Sequence, residues 1–260
     1  MRSNIRKLLR AGCAFAAVAA LGACAANQGG LAQGGVRTRL AALAIQSGDA
    51  AGALRMADQA LTAHPGEPAA LVVRGEAYTK LGEMGDAEKD FLAVLRTDPG
   101  SVSALTGLGR LRLAQDPAAA AALFRKVLDR APGDAVALND LGIALDLQGQ
   151  HAAAQGAYRR ALLLRPDLTA SRVNLALSMA QAGQGGAAVA LLRPVASAPK
   201  AGAKLREDYA AVLTMAGDQD QARAILSADM PPEQAAAAIN AFAASVPAGA
   251  PAPSVPSAQH

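Results

Sequence analysis

The sequence predicts an all-α protein, an α-solenoid of about six helix-turn-helix repeats placed between an N-terminal signal peptide and a disordered C-terminal tail. Three observations carry this reading. The apolar content is 52% yet mostly Ala and Leu, strong helix formers, while aromatics are 3% and Trp is absent. Prolines recur at 65, 99, 132, 166 and 199, at spacings of 33 or 34 residues. Gly48, Gly82, Gly149, Gly183 and Gly217 keep the same beat, and Asp116-Pro117 stands where one turn glycine is skipped.

The chain opens on Arg2, Arg6, Lys7 and Arg10, and no acidic residue precedes Asp49. These four account for the formal net charge of +4, because the rest of the chain balances 21 basic against 21 acidic side chains. Basicity confined to a leader excludes a nucleic-acid partner, as do the missing basic block in the body and the shortage of stacking aromatics. Ala11 to Leu21 is an apolar run of signal-peptide length, about half of what a membrane-spanning helix needs.

Cys24 follows Leu21-Gly22-Ala23, which resembles the bacterial lipobox. The resemblance implies lipid attachment at Cys24 and removal of residues 1–23, and Ala25 in place of Asp implies the outer membrane, with the protein facing the periplasm. Cys13 then leaves with the leader, so no free thiol enters an oxidising compartment. Several acyl chains anchor permanently where one anchors marginally. An ordinary secretory signal with Cys24 incidental is the competing reading. Residues 24–35 read as a Gly-rich linker spanning roughly 17–20 Å as a random coil. They lack the Lys-Ser/Thr ending of a phosphate loop.

Six intervals follow, near 36–67, 68–101, 102–134, 135–168, 169–201 and 202–232. The second holds Leu71, Gly75, Tyr78, Gly82, Ala87, Phe91 and Pro99, and the fourth repeats them as Leu138, Gly142, Leu145, Gly149, Ala154, Tyr158 and Pro166. The third gives Leu105, Leu108-Gly109, Ala120, Phe124 and Pro132. The first is weaker, with Ala41, Gly48, Ala53 and Ala60. The fifth and sixth keep Leu175-Ala176, Gly183, Ala188, Leu192 and Tyr209-Ala210, Gly217, Ala222, Leu226. Mid-helix Gly75, Gly109 and Gly142 cost about 1 kcal/mol each against alanine, which close approach of a neighbouring helix would offset. Phe91, Phe124 and Tyr158 are expected to fill the space between helix pairs, and the prolines to end second helices. Glu233 to Ser245 reads as a capping helix over the last pair, and residues 246–260, with four prolines among Ala and Ser, as disordered.

This pattern resembles the tetratricopeptide repeat. The resemblance implies a right-handed superhelix whose first helices line a groove for protein partners. Carried onto this chain, the groove residues are Val73, Glu76, Lys80, Arg110, Asn139, Ile143, Asp146, Val173, Asn174, Leu177 and Gln181. Asn139 and Asn174 stand out, because an amide can both donate to and accept from a peptide backbone.

Reactive constellations are not found. His64, His151 and His260 have no cysteine or carboxylate at ligand spacing, and His64 before Pro65 suits a helix C-terminus. Ser197-Ala-Pro-Lys200 fits an S-x-x-K pattern without its companion motifs and reads as a turn. Gly107-Leu-Gly109 lacks the third glycine and the strand of a dinucleotide loop. Asp218 and Asp220 read as helix caps. No enzyme, cofactor or metal is expected. A lipidated protein built of such repeats resembles the TadD lipoproteins of the tight-adherence (Flp pilus) system and the pilotins of type IV pili. Those resemblances imply an adaptor for a secretin or another pilus component, the alternative being a general envelope scaffold recruiting cell-wall enzymes.

Overall fold

The computed structural model describes residues 35–244; the leader, Cys24, the linker up to residue 34, Ser245 at the end of the expected capping helix and the tail at 246–260 lie outside the described residues. All regular structure among the described residues is helical. α1 covers 35–46. It is followed by α2 (Ala50–Ala63), α3 (Pro68–Leu81), α4 (Met84–Thr97), α5 (Val102–Arg112), α6 (Pro117–Arg130) and α7 (Ala135–Asp146). Then come α8 (His151–Leu164), α9 (Thr169–Gln181), α10 (Gly185–Ala196), α11 (Ala203–Met215), α12 (Gln219–Leu226) and α13 (Pro232–Ala244). Each predicted interval thus holds two helices, with Gly35, expected in the linker, already helical.

The punctuation is chemical. Gly48, Gly82, Gly149, Gly183 and Gly217 all adopt φ between 71° and 90°, a backbone that lets the chain reverse within a hairpin and that side chains disfavour. Where this glycine is skipped, Asp116 accepts from the Ala119 N–H at 2.9 Å and Pro117 takes the first helical position. Between hairpins, His64, Asp98, Ala131 and Arg165 share φ near −135° and ψ of 74–88°. Each precedes a proline, whose ring drives its predecessor out of the helical region, and so each second helix stops at the same register. The fifth hairpin departs from this rule: Pro194 lies inside α10, which is capped at Ser197, ahead of Pro199. The Ser197–Lys200 stretch is a turn, and Gly107 and Gly109 lie within helix α5.

The chain forms two compact units, dividing at Leu111 and Arg112. In the first, Ala53, Ala57, Ala60, Ala70, Ala77 and Ala87 are fully buried and Phe91 is 1% exposed. In the second, one continuous core runs from Ala120 and Phe124 through Tyr158, Leu192 and Leu213 to Ile239. Successive first helices touch there, α7 with α9 and α9 with α11. The predicted capping helix is α13, which lays Ala235 and Ile239 on α11 and α12.

The mid-helix glycines serve a purpose other than the one expected. A Cβ on Gly75 would lie 2.8 Å from the Phe91 ring, and one on Gly142 would lie 2.4 Å from the Tyr158 ring. The missing side chain therefore admits an aromatic ring of the second helix rather than a neighbouring backbone. Gly107, not Gly109, shares Phe91, at 2.4 Å. True backbone approach occurs at Gly185, whose Cβ would meet Ala216 Cα at 2.8 Å.

Candidate functional site

In the first unit the predicted groove residues lie on α3 and α5. Val73 is 7% exposed and belongs to the core with Ala41 and Ala57. Lys80 and Arg110 are exposed, and Glu76 is half-buried between them in charge. Burial pushes the Glu76 carboxyl above its ordinary range, while the Arg110 and Lys80 cations pull it back. Two cations around a partly dehydrated carboxylate make this face able to take either sign of partner charge.

About half a turn away, on the other side of α3, a network that sequence reasoning missed ties three helices together. The Arg74 guanidinium donates to both oxygens of Asp90 on α4, at 2.7 and 2.8 Å, and to Asp58 on α2 at 3.0 Å. It also lies 5.9 Å over the Tyr78 ring. Asp90 is 5% exposed, and the paired carboxylates hold the guanidinium's proton still more firmly than usual. The available signal was an arginine directly after the apolar run Leu71-Val72-Val73, where the fourth repeat has Leu141.

In the second unit the predicted residues converge, and their polar groups face one another. Asn139 on α7 is 7% exposed, and its Oδ1 accepts from Ser171 Oγ and Asn174 Nδ2 of α9, both at 3.0 Å. Its Nδ2 donates to Asp140 at 3.4 Å. The amide expected to read a peptide backbone therefore already has both acceptor positions filled from within the protein. Asp146, at the end of α7, accepts from Tyr158 Oη at 2.9 Å and Ser178 Oγ at 2.7 Å, and pairs with His151 Nδ1 at 2.9 Å. Burial, then the Asp146 charge, raises the Tyr158 phenol far above its ordinary range. Val173 is 8% exposed, while Ile143, Asn174, Leu177 and Gln181 are half-buried.

Aspartate, histidine and serine together invite a catalytic reading, and the geometry answers it. Ser178 Oγ donates to the carboxylate rather than to the imidazole and is 1% exposed, so the histidine is not placed as its base and the hydroxyl is closed off from solvent. No group of three or more potential metal ligands exists among the described residues. Asp218 caps α12 through the Gln221 N–H at 3.1 Å, as expected.

A second surface was not anticipated. Arg159, Leu162 and Leu163 of α8, Leu175 and Met179 of α9, and Ala187, Ala190 and Leu191 of α10 line an open apolar groove of about 730 Å³. Leu163 is 81% exposed on its rim. The signal was the run Leu162-Leu163-Leu164, since three consecutive leucines cannot share one face of a helix.

Comparison with known proteins agrees with this geometry. The tetratricopeptide repeat model matches residues 38–102 and 106–172, just over half of the chain. The chain belongs to the tetratricopeptide repeat family. Its tetratricopeptide repeats are also similar to cellulose synthase 2 operon protein C of Komagataeibacter xylinus, 36% identical over 201 residues, or 75% of this chain. An uncharacterized Sinorhizobium fredii protein, y4yS, is 37% identical over 91 residues, or 35% of this chain. The chain spans half the length of the Sinorhizobium protein and 15% of the Komagataeibacter one. The solved structure of PilW, a type IV pilus biogenesis factor, matches with a TM-score of 0.70 at 24% identity, over 78% of this chain and 98% of PilW. Pseudomonas aeruginosa pilF matches with a TM-score of 0.65 at 16% identity, over 81% and 99%. At these identities the likeness is one of fold.

Proposed function

We propose that the chain is a lipid-anchored adaptor of the outer membrane, facing the periplasm, that holds a polypeptide of a pilus-assembly system against the first helices of its repeats. The observation that carries the binding part is the face formed by Glu76, Lys80 and Arg110, charged and partly open on a family scaffold that binds proteins. Supporting the anchor is Leu21-Gly22-Ala23-Cys24 behind a short apolar run. The pilus reading draws support from the similarity in fold to PilW and pilF, and from the resemblance of lipidated repeat proteins to the TadD group. A secretin is the first partner to seek.

A second reading, a scaffold for another envelope export system, is favoured by the relative from a cellulose synthase operon. Crosslinking in intact cells followed by capture of the chain separates the two. A secretin or pilus subunit supports the first, and a glycan synthase or cell-wall enzyme the second. Cys24→Ser is expected to move the protein from the membrane to the soluble periplasmic fraction. Retention in the membrane fraction would remove the anchor.

A further inference from the structure

α1 is apolar on two opposite sides. Thr38 and Ala41 are buried and Ile45 packs beside Ala57 and Val73, which accounts for one stripe. Val36, Leu40 and Leu43, spaced i, i+4 and i+7, form the other, and they are 46%, 49% and 57% exposed. The first helix of a repeat array ordinarily turns a polar face outward, because no preceding hairpin covers it. Here three large aliphatic side chains occupy that face.

Two features of the chain say what covers them. Residues 25–34 separate α1 from Cys24, and even fully extended they cannot span more than about 36 Å. Moreover, α1 carries Arg37 and Arg39 and no acidic residue, with Arg39 exposed next to Leu40. Apolar side chains flanked by arginine suit the boundary between acyl chains and anionic headgroups. Leu163 is more exposed, yet nothing ties α8 to a membrane.

We propose that the Val36, Leu40 and Leu43 stripe of α1 rests on the phospholipid leaflet that holds Cys24, making the first helix a second, non-covalent membrane contact. This inference rests on the lipid-anchor reading. Tethering keeps the stripe at high effective concentration beside the leaflet, so three side chains suffice where a free helix would bind weakly.

The protein contains no tryptophan, so Leu40→Trp supplies a single fluorescent reporter. The lipidated variant is reconstituted into phosphatidylethanolamine/phosphatidylglycerol vesicles with or without brominated acyl chains, and Leu163→Trp serves as the exposed control. On reconstitution the Leu40→Trp emission shifts to the blue, and bromine quenches it several-fold more strongly than the Leu163→Trp emission. Val36→Trp repeats the test should Leu40→Trp disturb α1. Equal quenching of reporter and control in protein that floats with the vesicles overturns the inference while leaving the anchor intact. Emission already blue-shifted before vesicles are added overturns it as well, since protein would then cover the stripe. Absence of an acyl mass on Cys24 removes the anchor, and the inference with it.

Discussion

The hairpins α3–α4 and α7–α8 occupy the same place in the repeat, offset by 67 residues, and they use one scaffold to carry two different polar braces. Gly75 faces Phe91 in one as Gly142 faces Tyr158 in the other, and Gly82 and Gly149 turn both with positive φ. The brace then differs. Arg74 of α3 reaches Asp90 on its own partner helix and back to Asp58 on α2. At the matching position α7 has Leu141, and its brace is Asp146, which reaches Tyr158 on its partner helix and forward to Ser178 on α9. Thr79, the counterpart of Asp146, merely returns its hydroxyl to the Gly75 carbonyl at 2.8 Å. Small residue, ring, turn glycine and proline define the fold. The polar residues pinning one hairpin to the next can sit on either side of the first helix.

The largest separation between the two hairpins is expected from Asp146→Ala. It strips the acceptor from two donors, Tyr158 and Ser178, that are each 1% exposed, and should cost about 3–4 kcal/mol in urea unfolding. Thr79→Ala at the matching place should cost under about 1 kcal/mol. Equal losses would break the comparison.

Exchanging the rings sharpens it. Phe91→Tyr adds a hydroxyl at Cζ, the atom that a Gly107 Cβ would approach to 2.4 Å, so overpacking and a buried donor together should cost about 3 kcal/mol. The reverse change, Tyr158→Phe, removes one of the hydrogen bonds to Asp146 and should cost about 1 kcal/mol.

Tyr158→Phe also has a signature in pH. The folded phenol holds its proton more tightly than the unfolded one, so its contribution is complete below the ordinary tyrosine pKa of about 10. Above that value the unfolded chain releases the proton first, and stability falls by up to about 1.4 kcal/mol per pH unit. In Tyr158→Phe the urea midpoint between pH 9 and 11 should decline less steeply than in the parent. Parallel declines would mean that Tyr158 is not held neutral.

The same pair of hairpins explains what the sequence could and could not disclose. Turn glycines and helix-ending prolines act on their own backbone, and their periodicity was readable. The rings were readable as fillers, but not as occupants of Gly75 and Gly142, because that contact is made across the hairpin. Asn139 and Asp146 were placed correctly on a first helix. Register assigns a helix face, however, and does not say whether the next hairpin brings a Ser171 or Ser178 to meet it. Arg74 carried no readable signal of this kind, because a cation at the end of an apolar run has no meaning until Asp58 and Asp90, 16 residues to either side, converge on it.

The central claim is that a partner polypeptide lies along the first helices, and site-specific photocrosslinking in living cells tests it most directly. A photoreactive side chain is introduced at Lys80, exposed on α3, at Gln181 on α9, and at Arg165 and Leu163 as exposed controls on α8 and at its end, outside the first helices. The account predicts polypeptide adducts from Lys80 and Gln181 and none from Arg165 or Leu163. Adducts from Leu163 with none from Lys80 or Gln181 would move partner binding to the α8–α10 groove and contradict it.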